Sequence, residues 1–320
     1  MKKIVWILAL AFSFLSIGAQ AQQPAQQPAG KDMSWAFPLI VGTLPPSTVE
    51  GPQSLPGSTK TYTQAQIEDL ANPPDWYPEE HQPAPQIVQH GHDPAFACGA
   101  CHLMSGMGHP ESSSLAGLTV DYTMRQMADF QSKIRKDPAL ARMNNISGAL
   151  SQDEMLQAAR WFAAMKPVVW TKVVEASTVP KTFVGAGRMR FEQPGGVKEP
   201  IGNRIITLPQ DPSRVTKRDP HSGFIAYVPM GSIKKGEALV KNGGGGKTIA
   251  CSICHGDSLQ GIGNVPRIAG LHPIYIARQL LMFQNGDRAG GDGQLMKKPV
   301  MKLTEEDIVA IAAYIGSQAP

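Results

Sequence analysis

The pentapeptides Cys98-Gly99-Ala100-Cys101-His102 and Cys251-Ser252-Ile253-Cys254-His255 hold all four cysteines of the 320-residue chain. They lie 153 residues apart, and the same offset stays in register well beyond them. Gly117, Tyr122, Arg125, Gln126, Phe130 and Arg135 meet Gly270, Tyr275, Arg278, Gln279, Phe283 and Arg288. Met143 meets Met296, Leu150 meets Leu303, and Trp161 meets Tyr314. Ser151-x-x-Glu154 meets Thr304-x-x-Asp307, and both read as capping boxes that start a helix. One offset without a gap over about 65 residues defines two copies of one unit. Any fold for this chain must contain that unit twice.

Each copy reads as helical. Tyr122, Met127 and Phe130 recur at helical spacing within about 119–133, as do Tyr275, Leu280 and Phe283 in the second copy. Behind the Ser151 cap, Met155, Ala158, Ala159 and Phe162 form an apolar stripe over about 152–165. Its counterpart, 305–316, presents Ile308, Ile311, Ala312 and Ile315. A further helix is expected before each pentapeptide, in 231–243 and, more weakly, in 84–91.

Cys-x-x-Cys-His is the attachment signal for c-type haem. Two thiols at that spacing add across the two vinyl groups, and the adjacent histidine offers a nitrogen to the iron. The alternatives fit less well. A thioredoxin-like site requires no histidine, and a zinc ribbon would have to join pairs that stand far beyond the usual ligand spacing. Local disulfides would each close only a tiny loop. The expected cofactors are therefore two haem c groups. Cys98, Cys101, Cys251 and Cys254 would attach them, and His102 and His255 would be axial iron ligands.

A second axial ligand follows from the spacing. Met143 and Met296 each lie 41 residues after the haem histidine and seven before the leucine that precedes the last helix. A loop position held at equal distance in both copies suits a thioether that reaches the other haem face, and methionine there raises the potential. Met301 is the rival in the second copy. Should neither methionine serve, histidine or water takes the place, with His109 and His92 the next candidates because they lie near the first motif. Met124, Met127, Met155, Met165 and Met282 sit at helical positions where packing is the expected role.

The first 21 residues carry Lys2 and Lys3, an apolar run from Ile4 to Ile17, and small residues ending at Ala21. That is the layout of a cleaved export signal. The apolar run falls short of the ~20 residues of a spanning helix. The mature chain is expected in a periplasm, with no membrane span. Loss of the two lysines lowers the formal charge from +4 to +2, too little to call for nucleic acid as a partner.

The second copy reads CSICHG, PRIAGL, YIARQLLMFQNGDR, Met296 and LTEEDIVAIAAYIGS in order. This series resembles the tandem two-haem class I cytochromes c of the c-four type, closely over 233–317 and less fully over 86–166. The resemblance implies a mainly α fold: two helical haem domains related by the internal repeat, His/Met ligation, and electron transfer. In that family a proline carbonyl supports the haem histidine. Pro266 matches it, whereas the first copy has Ser113, and Leu103 stands where the second copy has Gly256. These two departures predict an altered first pocket.

The expected organisation is a signal peptide (1–21), a Pro/Gln-rich extended segment (22–85), a first cytochrome domain (86–166), a linking segment (167–232) and a second cytochrome domain (233–320). Proline-rich 73–85 reads as extended. The linking segment carries β-branched runs broken by Pro and Gly, which predicts short strands and loops packed on the haem units. Asn-Gly-Gly-Gly-Gly-Lys (242–247) lacks a P-loop pattern and reads as a turn.

Function follows from the irons. Two Met-ligated irons are saturated, so the chain is expected to carry single electrons between periplasmic redox proteins, with a dehydrogenase as donor and an oxidase or cytochrome as acceptor. Lys297, Lys298 and Lys302 around Met296 are a candidate docking patch. The alternatives are the electron-accepting subunit of a periplasmic dehydrogenase, or a dihaem peroxidase using the altered first haem. A thiosulfate-oxidising enzyme with a cysteine ligand is excluded, because no fifth cysteine exists.

Overall fold

The computed structural model describes residues 34–40, 49–138 and 140–320; the expected signal peptide lies outside these. Both copies build the same middle and last helices. Val120–Gln131 starts where the Thr119 side chain accepts from the Tyr122 amide, and its counterpart Pro273–Asn285 starts with proline in the first turn. The last helix of each copy, Gln152–Ala163 and Glu305–Ser317, opens on a complete capping box from Ser151/Glu154 and Thr304/Asp307. In both copies a glutamine ties the middle helix to the segment that leads into the last one. Gln131 Nε2 donates to Ser147 O at 2.7 Å, and Gln284 Nε2 donates to Val300 O at 2.6 Å and Leu303 O at 2.9 Å.

The helix before the second pentapeptide, Ser232–Asn242, lies flat against Glu305–Ser317. Gly236 permits this, since a Cβ there would sit 1.9 Å from Ala310 O. Before the first pentapeptide the equivalent helix shrinks to Gln86–Gln89. The cores differ accordingly. The second is a large aliphatic cluster around Leu239, Ile274, Leu280, Ile308 and Ile311. The first is smaller and leans on Met104, Met155, Trp161 and Phe162.

The linking segment forms short strands, as its β-branched runs predict. Thr171–Glu175 pairs in parallel with Phe224–Val228, Thr171 opposite Phe224, and Ile206–Pro209 pairs antiparallel on the other side of Phe224–Val228. The outer strand Thr171–Glu175 packs on Glu305–Ser317, so that helix is buried all round from Ile308 to Gly316. Thr182–Val184 and Arg190–Glu192 make an antiparallel hairpin, and Thr178–Pro180 pairs with Lys198–Pro200. Trp170, Met189, Phe191 and Phe224 from this segment join Leu103 and Met107 of the first unit in one apolar cluster.

The N-terminal segment is less extended than its composition suggests. Gln64–Glu68 is a capped helical turn, and Pro78–Glu80 is a 3-10 turn that begins with proline, where a missing N–H costs nothing. Trp76 anchors the segment by donating from Nε1 to Lys217 O at 2.8 Å. Gly243 to Gly246 all take positive φ, consistent with a turn.

Two candidate haem sites and the contact between them

Each pentapeptide ends as one helical turn, Gly99–His102 and Ser252–His255, which points its histidine inward. His102 Nδ1 donates to Ser113 O at 2.8 Å, and His255 Nδ1 donates to Pro266 O at 2.9 Å. A carbonyl can only accept, so both rings carry the proton on Nδ1 and leave Nε2 as a free base. Burial also pushes both imidazoles below the usual histidine range, which favours the neutral, metal-binding form.

The expectation of an altered first pocket is therefore corrected for the histidine support. Ser113 does through its backbone what Pro266 does, because the carbonyl is the working group and proline contributes only stiffness. Leu103 keeps the path of Gly256 as well. The two residues take φ 61° and 84° with ψ 160° and 156°, a region that strains leucine and suits glycine. Burial of Leu103 among Met107, Trp170 and Phe191 offsets that strain.

Each pentapeptide faces its own cavity. The first, of about 180 Å³, is lined by Cys98, Cys101, His102, Met143, Leu150 and Phe162 among others. The second, of about 450 Å³, is lined by Cys251, Cys254, His255, Met296, Leu303 and Ile315 among others. Because the two cysteine pairs face different cavities, a zinc site joining them does not form. The cysteines are unpaired, and burial pushes the Cys98 thiol up to about 12 and Cys251 to about 11. Met143 and Met296 stand at helix ends rather than in loops, within Arg142–Ala149 and at the close of Gly291–Met296. Met301 is 63% exposed and lines neither cavity. His92 pairs with Glu154 at 2.9 Å, and His109 contacts Ser112 at 3.1 Å; neither lines a cavity.

The matched residues of the repeat meet across the boundary between the units. Arg135 donates from Nη1 to Gln126 of its own copy at 2.7 Å. From Nη2 it donates to Gln279 at 3.0 Å and Tyr275 at 3.3 Å of the other copy. Arg288 mirrors this, reaching Gln279 at 2.8 Å, Gln126 at 2.9 Å and Tyr122 at 2.8 Å. The two guanidiniums lie over Phe130 and Phe283 at 4.4 Å and 4.6 Å. Arg125 reaches Asn264 O at 3.1 Å, while its repeat partner Arg278 reaches Pro110 O and the Glu111 carboxylate, the latter at 2.6 Å. This is the isologous contact of a two-fold dimer written into one chain.

The cavities fit haem on chemistry visible here: paired thiols, an imidazole with a free Nε2, a thioether and an apolar lining. Arg135 and Arg288 line the cavities and hydrogen-bond only neutral side chains, which leaves their charge for an anionic group such as a haem carboxylate.

Fold and sites together define a c-type cytochrome with two haem units. A family model described as cytochrome c matches residues 233–319. Cytochrome c-554(548) of Halomonas halodenitrificans is 36% identical over 69 residues, 21% of this chain and 83% of that protein. Cytochrome c4 of Azotobacter vinelandii is 28% identical over 235 residues, 70% of this chain and 86% of that protein. The thiosulfate dehydrogenase electron acceptor of Thiomonas intermedia is 25% identical over 229 residues, 70% of this chain and 79% of that protein. The chain belongs to the cytochrome c family. Over most of its length its likeness is to cytochrome c4, and it is an electron carrier rather than an enzyme. Among the described residues, no helix is long and apolar enough to cross a membrane.

Sequence reasoning missed Glu111, Arg188 and Arg218. Glu111 and Arg188 line the first cavity, and Arg218 covers the first pentapeptide. The first lies outside the set of matches between copies and the other two lie in the unrepeated linking segment, so the offset could not flag them.

Proposed function

We propose that Cys98, Cys101, Cys251 and Cys254 hold two haems, with His102 and Met143 as axial ligands of the first and His255 and Met296 of the second. The supporting observation is that each cavity is lined by a pentapeptide histidine with a free Nε2 and by a methionine at the same repeat position. Bound haem supplies reversible one-electron chemistry at iron. The protein orients each imidazole through a backbone carbonyl and surrounds the site with apolar walls, and the Met143 and Met296 thioethers would serve as the further iron ligands. The peroxidase alternative, which needs an open iron, finds nothing in the first cavity to favour it.

In this reading the chain is exported by its first 21 residues and serves periplasmic redox proteins. Its partner docks at the second unit, where Leu295 and Met301 are exposed beside Lys297, Lys298 and Lys302 and the pentapeptide's Ile253 is exposed as well. An apolar centre with a cationic rim suits an acidic electron-transfer protein. The similarity to the Thiomonas intermedia thiosulfate dehydrogenase electron acceptor supports the second reading, in which that partner is a dehydrogenase.

Purified holoprotein should carry two covalent haems with a near-infrared sulfur-to-iron band. Met143→Ala and Met296→Ala should each convert one haem to high spin and lower its potential. An unchanged spectrum in either variant clears that methionine of the role. Absence of the band from the wild type rejects the ligand set.

A further inference from the structure

The two cavities differ in charge, and the difference traces to a hairpin that the repeat does not contain. Among the described residues, the first cavity is lined by the cations Arg135, Lys136, Arg142, Arg188 and Arg278 against the carboxylates Glu111 and Asp137. The second is lined by Arg125, Arg267 and Arg288 against Asp129 and Asp292. Arg188 comes from neither copy. It stands at the tip of the hairpin Thr182–Val184/Arg190–Glu192, in the turn Ala186–Arg188.

That tip is held rigidly. Gly187 and Arg188 take φ 65° and 60°, two successive left-handed residues, and Gly185 N donates to Met189 O at 2.9 Å to close the turn. Phe183 stacks on Phe191 with centroids 5.9 Å apart, and Met189 and Phe191 are buried against the first unit. A non-glycine residue held left-handed marks a place where the surrounding structure overrules local preference. What it achieves here is to bring a guanidinium to the cavity wall.

The guanidinium arrives with no hydrogen-bond partner among the described residues, and the Glu111 and Asp137 carboxylates of the same wall attract it. Arg188 hydrogen-bonds through its backbone N–H to Gly185 O at 3.0 Å, and among the described residues its side chain makes no hydrogen bond to a protein group. Of those two acids, Glu111 is engaged by Arg278 at 2.6 Å and Asp137 accepts from the Met143 amide at 3.0 Å. A half-buried arginine with five free donors calls for an anion, and haem brings two carboxylates into a cavity of this kind.

We propose that Arg188 is a positioning residue for the first haem: it binds a carboxylate of that haem and raises its reduction potential. Reduction removes one positive charge at iron, so a fixed cation in a low-dielectric cavity favours the reduced form. The second haem has no equivalent, because the hairpin occurs once. The first haem is thereby biased toward holding the electron. This rests on the reading that both cavities hold haem.

The experiment is a redox titration of holoprotein followed in the visible haem bands, after counting haems per chain. Arg188→Gln should shift one midpoint downward and leave the other in place, changing the electron's distribution between haems about three- to tenfold, about 28–59 mV. Arg188→Lys should hold the midpoint near that of the wild type while altering the resonance Raman band of a haem carboxylate. Arg190→Gln, which removes a cation of the same hairpin outside the cavity, should move neither midpoint appreciably. The proposal is overturned if Arg188→Gln moves no midpoint, or if Arg190→Gln moves the same one equally. If Arg188→Gln does not fold, an unaltered carboxylate band in Arg188→Lys overturns it alone. A chain carrying fewer than two haems instead rejects the reading beneath it.

Discussion

Ala100 and Ile253 occupy the same place in the two pentapeptides, yet Ala100 is fully buried and Ile253 is 68% exposed. The chain path around them is the same; what differs is what lies on top. Pro73 and Val88 approach Gly99, and Arg218 donates to Ala100 O and, from Nε, to Ile67 O at 2.8 Å. Among the described residues, no side chain makes a comparable bond over Ser252 and Ile253. In the proposed reading thioethers would tie the haem rim to these cysteines, so covering this loop would cover that rim. The unrepeated segments thus convert two equivalent pentapeptides into one that is covered and one that is exposed. Duplication supplied the chemistry, and the added segments supplied the asymmetry.

The comparison is tested hardest where the same arginine has two fates. Arg125 and Arg278 both cross to the other unit, but Arg125 keeps 37% of its side chain exposed with Asp292, and Arg278 keeps 7% with Glu111 at 4%. Burial pushes the Glu111 carboxyl up, and Arg278 is the cation that most opposes this. Arg278→Ala would strand Glu111 and should cost about 3–5 kcal/mol. Arg125→Ala should cost about 0–1 kcal/mol. Guanidinium unfolding of the holoproteins measures both, and equal losses would break the comparison. Pairing Arg278→Met with Glu111→Leu should recover most of the loss.

A smaller contrast concerns pH. Burial pushes Asp307 up, but hydrogen bonds from Lys247, Thr304 and Lys235 outweigh it and hold the carboxyl at about 2, below its ordinary 3.8. A folded pKa below the unfolded one means the stabilisation is complete above about pH 4 and is lost as pH falls toward 2, worth about 2 kcal/mol. Glu154, its counterpart, is held low mainly by Ser151 and lies nearer the surface, with His92 beside it. Far-UV circular dichroism between pH 4 and pH 2 should show a flatter stability profile for Asp307→Asn than for wild type. Glu154→Gln should change the profile less. Matching profiles for wild type and Asp307→Asn would remove Asp307 from the account.

Much of this was legible in the sequence, for physical reasons that also set the limit. A fixed offset exposes every residue that both copies need, so the helices, the capping boxes, the pentapeptides and Met143/Met296 all stood out. Tyr122, Gln126 and Arg135 stood out with their partners too. Their crossed bonding did not, because matching positions says nothing of which copy a side chain reaches. The offset is also blind to what occurs once. Arg188, Arg218 and Glu111 depend on a hairpin and loops whose place over the first unit comes from burying Trp170, Met189 and Phe191, a three-dimensional fact with no periodicity to announce it. Ser113 misled for the opposite reason: side-chain identity changed while the working carbonyl stayed.

The mildest test removes the cover itself. In the first unit the Ala100 amide bonds Ala97 O at 3.1 Å and the His102 amide bonds Cys98 O at 3.0 Å, in a turn only four residues long. So short a turn has little protection of its own. Arg218 clamps its outer side by joining Ala100 to Ile67. Arg218→Ala should therefore leave global stability nearly unchanged while speeding hydrogen exchange of the amides of residues 100–102 about tenfold, equivalent to about 1.4 kcal/mol of local protection. Amides 253–255 have no such clamp among the described residues and should not respond. Mass-spectrometric exchange on holoprotein reads both loops in one experiment. A rise in both, or in neither, would mean that covalent attachment alone orders the two pentapeptides and that the cover over the first has no part in holding it.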